Sequence, residues 1–213
     1  MTRTAVSSRA LPHVVAPAPA VGLVMVGVGG QGILLASEVV ARAAMAAGHQ
    51  VKTNEVHGMA QRGGSVMAQV RFGREVHSPL VAEGTANILL SFEKIEAIRA
   101  AHFLAPDGLA IVSDQEIVPV TATSGSAKYP SDAAARLGRV CRRLLLFDAV
   151  AKAASLGSAR ASNTVMVGAL SAYLDLPAEA WQQALTAAIK PAHLEVNRRA
   201  FEAGRELALK AHV

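Results

Sequence analysis

Residues 21–27, VGLVMVG, are apolar almost throughout and rich in Val, and a run this short between glycines predicts a buried strand. The pattern then lengthens. ILLASEVVARAAMAAG at 33–48 spaces its apolar residues as a helix does and stops at Gly48. QVKTNEV at 50–56 predicts a second strand. SVMAQVRFG at 65–73 alternates Val66, Ala68, Val70 and Phe72 on one face and predicts a third. ANILLSF at 86–92 predicts another buried strand, EKIEAIRAAHF a short helix after it, and GLAIVSD at 108–114 the next strand. From 115 to 130 the pattern is lost, and PVTATSGSAKYPS reads as a loop or irregular edge strand. RRLLLFD at 142–148 predicts one more strand. Helical patterns follow at 149–156, 163–174, 177–189 and from about 192, with Pro177 and Pro191 suited to first turns.

Strands that alternate with helices predict an α/β fold: a mostly parallel, Rossmann-like sheet flanked by helices, with a helical C-terminal extension. The expected organisation is a disordered tail at 1–20 and a single domain at 21–213. Within it, 21–148 form the α/β core and 149–213 the helical extension. No internal repeat interrupts this order.

Composition narrows the function classes. Among 213 residues, 52% are hydrophobic and only 4% aromatic, so the core is built from Ala, Val and Leu. The net charge is +5, of which Arg3 and Arg9 supply +2 in an acid-free tail, leaving +3 for the rest. That is compatible with an anionic ligand but is no nucleic-acid signature, since no basic run is interleaved with aromatics. The single cysteine, Cys141, excludes an internal disulfide, a four-cysteine iron–sulfur cluster and a cysteine-rich zinc site on this chain. No apolar run is long enough to span a bilayer. Pro12, His13, Pro17 and Pro19 break what a secretory signal would need as a continuous apolar stretch, so a cytoplasmic location is expected.

Two segments offer chemistry. GVGGQG at 27–32 places Gly27, Gly29 and Gly32 in G-x-G-x-x-G spacing, with Gly30 and Gln31 between them, after a strand and before a helix. Such a turn lets backbone approach a ligand and presents free helix amides to an anion. Three readings stay open here: anion or cofactor binding, a purely structural turn, and an NAD or FAD site. The last needs an acid about 20 residues on, and Glu55 stands near that place with His57 close behind it. The second segment, NEVHGMAQRGGSV at 54–66, sets His57, Gln61 and Arg62 beside Gly63 and Gly64. It is expected to emerge at the carboxyl end of the second strand, on the same edge as the glycine turn. There a guanidinium would suit a carboxylate or phosphate. The plainer alternative is a solvated or bridging arginine with glycines serving a bulge.

Four blocks in order, GVGGQG, NEVHGMAQRGGSVMAQVRFG with SPLVAEGTANILLSFEKIEAIR, NTVMVGAL, and EVNRRAFEAG, resemble the gamma-type domain of 2-oxoacid:acceptor oxidoreductases. Within that family they are most similar to the small (beta) subunits of indolepyruvate ferredoxin oxidoreductases. The resemblance spans roughly 21–208. It implies a CoA-dependent oxidative decarboxylation of an arylpyruvate-type 2-oxoacid to an acyl-CoA. Thiamine diphosphate, held with Mg, would attack the carbonyl, and 4Fe-4S clusters would pass the electrons to ferredoxin. The chain has no Gly-Asp-Gly segment for metal–thiamine diphosphate binding, and one cysteine cannot hold a cluster. The resemblance therefore implies a subunit that binds none of these groups alone and works beside a large (alpha) thiamine diphosphate and iron–sulfur chain. His57, Gln61 and Arg62 would support catalysis from the partner-facing edge. Gly27, Gly29, Gly30, Gln31, Gly32, Gly63, Gly64 and Asn163 would border the cofactor. The alternatives from other classes are a self-sufficient Rossmann-type NAD- or FAD-binding oxidoreductase and a non-catalytic module with a vestigial turn.

Other polar residues are expected to be bland. Cys141 beside Arg142 and Arg143 is expected to be a small core residue. His49, His77, His102 and His193 show no ligand spacing. Glu93 and Glu96 open a helix whose dipole suits acids. Asn163 caps its helix in the plain reading, and Asn197, Arg198 and Arg199 are expected to form a polar helix face, with a partner contact as the alternative.

Overall fold

The computed structural model describes residues 20–57, 63–117 and 129–211. Expectations that fall on 1–19, on Gln61 and Arg62, and on the side chain of His57 lie outside the described residues. Six strands form one sheet: β1 (Ala20–Val28), β2 (Gln50–His57), β3 (Ser65–Gly73), β4 (Ala86–Ser91), β5 (Leu104–Ser113) and β6 (Arg143–Phe147). Their order is β2-β3-β1-β4-β5-β6. Strands β1, β4, β5 and β6 pair in parallel. Strand β3 is antiparallel to both β1 and β2, so it alone runs against the others. The described helices are α1 (Ile33–Ala46), α2 (Lys94–Ala100), α3 (Ala133–Val140), α4 (Ala149–Ser155), α5 (Ser162–Ser171), α6 (Ala178–Ala188) and α7 (Pro191–Lys210).

The continuous apolar runs of the central strands follow from burial on both faces. In β1, Leu23 and Met25 join the main core with α1, α5, α6 and α7, while Val24 and Val26 face the opposite cluster with Ala100 of α2. In β5, Leu109 and Ile111 share the main core, and Ala110 and Val112 meet Ala97, Leu137 and Cys141. Strand β3 alternates as its sequence predicts: Val66, Ala68, Val70 and Phe72 all enter the main core. Helix α1 buries Ala36, Val39, Val40, Ala43 and Ala44. It ends where Gly48 takes φ 83° and returns its N–H to Met45, a left-handed stop that disfavours a side chain.

The C-terminal helices share the sheet's main core, with Val165, Met166, Leu170, Trp181 and Phe201 among its members. Helices α5 and α7 meet backbone to backbone. A Cβ on Gly168 would overlap the Phe201 carbonyl, and one on Gly204 the Val165 carbonyl.

Three elements differ from the sequence reading. Helix α3 occupies part of the stretch between 130 and 142, to which no element was assigned; it buries only Ala133 and Leu137, too few for a clear period. Strand β5 begins at Leu104, not 108, because the chain pairs with β4 through a register shift, and Gly108 lies tight against the Ala86 carbonyl there. Pro177 stands at the N-cap of α6, one place ahead of the first turn, whereas Pro191 does open α7.

Candidate functional site at the carboxyl edge of the sheet

With β3 reversed, the β2–β3 connection returns to the edge where β1 ends. The glycine turn and the described end of the His57 loop meet there directly. Gly29 N–H donates to the Gly64 carbonyl at 2.8 Å, and Gly63 N–H donates to the Gly29 carbonyl at 3.3 Å. Gly63 has φ 75°.

Each residue of the turn has its own surroundings. Gly27 is buried, and a Cβ on it would press on Phe92 and on the Gln31 side chain. Gly30, at φ 107°, is exposed, with open space where a Cβ would stand. Gly32, at φ 79°, is the left-handed N-cap of α1 and is packed under Asn163. Gln31 turns back on the protein: its Oε1 accepts from Val28 N–H at 2.7 Å and its Nε2 donates to the Phe92 carbonyl at 2.7 Å. Both ends of that amide are thus occupied in stitching β1 to β4. Gly30 is where backbone is open to approach, and beyond it the first amides of α1 have no acceptor within the helix.

Asn163 is 5% exposed and spans α5 and the turn. Its Nδ2 reaches the Gly32 carbonyl at 3.4 Å, and its Oδ1 accepts from Thr164 N–H at 2.9 Å. Thr164 Oγ1 donates to Asn197 Oδ1 at 2.6 Å, and Asn197 Nδ2 to the His193 carbonyl at 2.8 Å. Three of the four sequence blocks are therefore joined through one polar chain. Asn163 does not cap α5, whose N-cap is Ala161 with no side-chain bond.

Glu93 and Glu96, acids that suit the dipole of α2, are buried and held by specific partners. Glu93 is 1% exposed; it caps α2 through Glu96 N–H at 2.9 Å and accepts from Tyr129 Oη at 2.5 Å. Burial, with Glu93 next in effect, pushes the Tyr129 phenol far above its usual range. Glu96 accepts from Ser65 Oγ at 2.5 Å and from Arg99 at 3.0 Å. Lys94 bonds Asp114 at 2.6 Å and Glu116 at 2.8 Å. Burial pulls its ammonium down, but the two carboxylates outweigh that and raise it. The spacing of FEKIE alone gives no sign of Ser65 or Tyr129 as partners.

Glu55 is displaced from the place where a dinucleotide site sets its acid. In that kind of site the acid ends a strand adjacent to β1. Here β3 lies between, which sets Glu55 two strands from the turn, roughly 10 Å in strand spacing. Glu55 is exposed and meets Ser37 Oγ at 3.3 Å. Cys141 is core, and burial pushes its thiol up to about 11. Among the described residues no group of His, Cys, Asp and Glu could hold a metal ion. No described helix is long and apolar enough to cross a membrane.

Over residues 22–207 the sequence matches the family described as pyruvate ferredoxin/flavodoxin oxidoreductase. The chain belongs to that family. This member is 41% identical over 191 residues to indolepyruvate oxidoreductase subunit IorB of Archaeoglobus fulgidus, covering 88% of this chain and 94% of the relative. It is 39% identical over 193 residues to IorB of Pyrococcus horikoshii, covering 87% and 95%. Among solved structures it is similar to the gamma subunit of keto/oxoacid ferredoxin oxidoreductase from Geobacter sulfurreducens. The TM-score is 0.68 at 25% identity, over 89% of this chain and 99% of that one. The α/β fold with its C-terminal helices is the fold of that gamma subunit.

Proposed function

We propose that this chain is the small subunit of an indolepyruvate-type, or more broadly arylpyruvate-type, 2-oxoacid:ferredoxin oxidoreductase. It works in the cytoplasm beside a large subunit that holds thiamine diphosphate, Mg and 4Fe-4S clusters. When bound there, those groups supply the decarboxylation of the 2-oxoacid and the removal of its electrons to ferredoxin, with CoA taking the acyl group. One buried cysteine and no metal-holding group among the described residues fit a chain that borders such groups and does not ligate them.

The observation that supports this reading most is the backbone pairing of Gly29 with Gly63 and Gly64. It brings the glycine turn to Gly63 and Gly64, the last residues of the HGMAQRGG segment, on the edge where Gly30 leaves backbone open. From that edge Arg62 would face an anionic group, the oxoacid carboxylate or a CoA phosphate, and His57 and Gln61 would hydrogen-bond and position it. Sheet order weighs against the self-sufficient NAD or FAD enzyme, because Glu55 is displaced from the turn.

The test is co-expression with a large thiamine diphosphate and iron–sulfur subunit of this enzyme type. The assembled pair should reduce ferredoxin with indolepyruvate and CoA, and this chain alone should be colourless and inactive. Arg62→Ala should lower turnover or affinity about 10- to 150-fold, the effect of one lost charged hydrogen bond. Arg62→Lys should recover only part, since it keeps the charge and loses the planar fork. Indolepyruvate oxidation by the isolated chain, or wild-type turnover in both assembled variants, would overturn the reading.

A further inference from the structure

We propose that Glu96 is a positioning residue for the glycine turn, acting through Ser65 and the Gly29–Gly64 backbone pair. The proposal rests on the reading of this edge as ligand-facing. Glu96 opens α2, where an acid that served only the helix dipole would sit well in water. Instead it is 5% exposed. A buried carboxylate needs donors. One is Arg99, whose side chain is 63% exposed and whose pairing is screened by solvent. The directional one is Ser65 Oγ at 2.5 Å, 31 positions away on β3.

Ser65 is the first residue of β3 and stands in register with Val28, the last of β1. The residue before it, Gly64, supplies the carbonyl that receives Gly29 N–H. Holding Ser65 therefore fixes where that carbonyl points. The same short stretch grips the other side of the turn, because the Phe92 carbonyl receives Gln31 Nε2 and Phe92 N–H donates to Val26. Residues 92–96 thus clamp the turn from both flanks and leave Gly30 between them open. Without the Ser65 hydroxyl, the Gly64 carbonyl is freed to drift, Gly29 N–H loses its acceptor, and the opening at Gly30 changes shape.

The experiment assembles Ser65→Ala, Ser65→Thr and Gly30→Val separately with the large subunit. It measures KM for CoA and for the 2-oxoacid, melting, and hydrogen exchange at the Gly29 amide. Ser65→Ala should raise one KM about tenfold, the effect of losing one charge-assisted hydrogen bond, and strip protection from the Gly29 amide. Ser65→Thr should restore both. Unchanged KM and exchange in Ser65→Ala, or a loss that follows melting and is not restored by threonine, would overturn the role of Glu96. Gly30→Val separates the two levels. If it raises KM while Ser65→Ala does not, only the Glu96 proposal fails; if it leaves both KM values unchanged, the ligand-facing reading fails with it.

Discussion

Asn163 lies against Gly32, 131 positions earlier in the chain, with its amide nitrogen 3.4 Å from the Gly32 carbonyl oxygen. The contact ties the N-cap of α1 to α5, and through Thr164 and Asn197 to α7. Asn163→Ala removes the buried amide and leaves Thr164 N–H without its side-chain acceptor. A cost of about 1–2 kcal/mol is expected, which lowers the melting temperature by roughly 2–8 °C for a chain of this length. Thermal unfolding followed by circular dichroism measures it, and an unchanged midpoint would show that the bridge contributes no stability.

Glycines inside helices differ sharply in what they tolerate. Gly168→Ala and Gly204→Ala drive a methyl into a facing backbone carbonyl, so each should cost more than about 3 kcal/mol or prevent folding. Gly138, exposed in α3 with nothing near its Cβ position, should instead gain up to about 1 kcal/mol as alanine. Urea midpoints of the three variants, ranked in that order, check the assignment.

Equilibrium titration with NADH should give no saturable binding at submillimolar concentration. The reason is the intervening β3, which holds Glu55 away from the turn. Micromolar binding abolished by Gly29→Val would restore the dinucleotide reading.

Cys141 should resist thiol reagents at pH 8 until the protein unfolds. Burial favours its protonated form in the fold and sets the thiol at about 11, against an ordinary value of 9.0. The sign for stability follows. This group's contribution is complete below pH 9.0 and declines as pH rises toward about 11, because the unfolded thiol ionises first. Release of thionitrobenzoate from a disulfide reagent, with and without denaturant, measures the difference. Rapid stoichiometric release from the native chain would contradict it.

The strands were legible because burial on both faces leaves few polar interruptions in 21–27 and 86–92, and because Val66 to Phe72 keeps strict alternation. Helix α3 was not, since Ala133 and Leu137 alone set its buried side. That Gly63 and Gly64 stand on the same edge as the glycine turn was legible from strand direction. The reversal of β3 was within reach too: residues 58–64 suit a hairpin, and a parallel return needs a crossover of a dozen residues or more. What no local pattern announces is a partner chosen across the fold. Ser65 for Glu96, Tyr129 for Glu93 and Gly32 for Asn163 depend on which strands become neighbours. The same holds for Gln31, whose position in the turn pointed to a ligand while its amide is spent on Val28 and Phe92.

The reversed β3 has a consequence for how such a subunit can diversify. A crossover helix commits the chain to the opposite edge, so any change in it must be absorbed by the sheet. An antiparallel pair leaves and returns through the same rungs, and here the return strand is latched at Gly63, Gly64 and Ser65. A change of sequence or length between His57 and Gly63 can therefore leave strand order, core and the C-terminal helices as they are, because β2 and β3 are held by their own rungs.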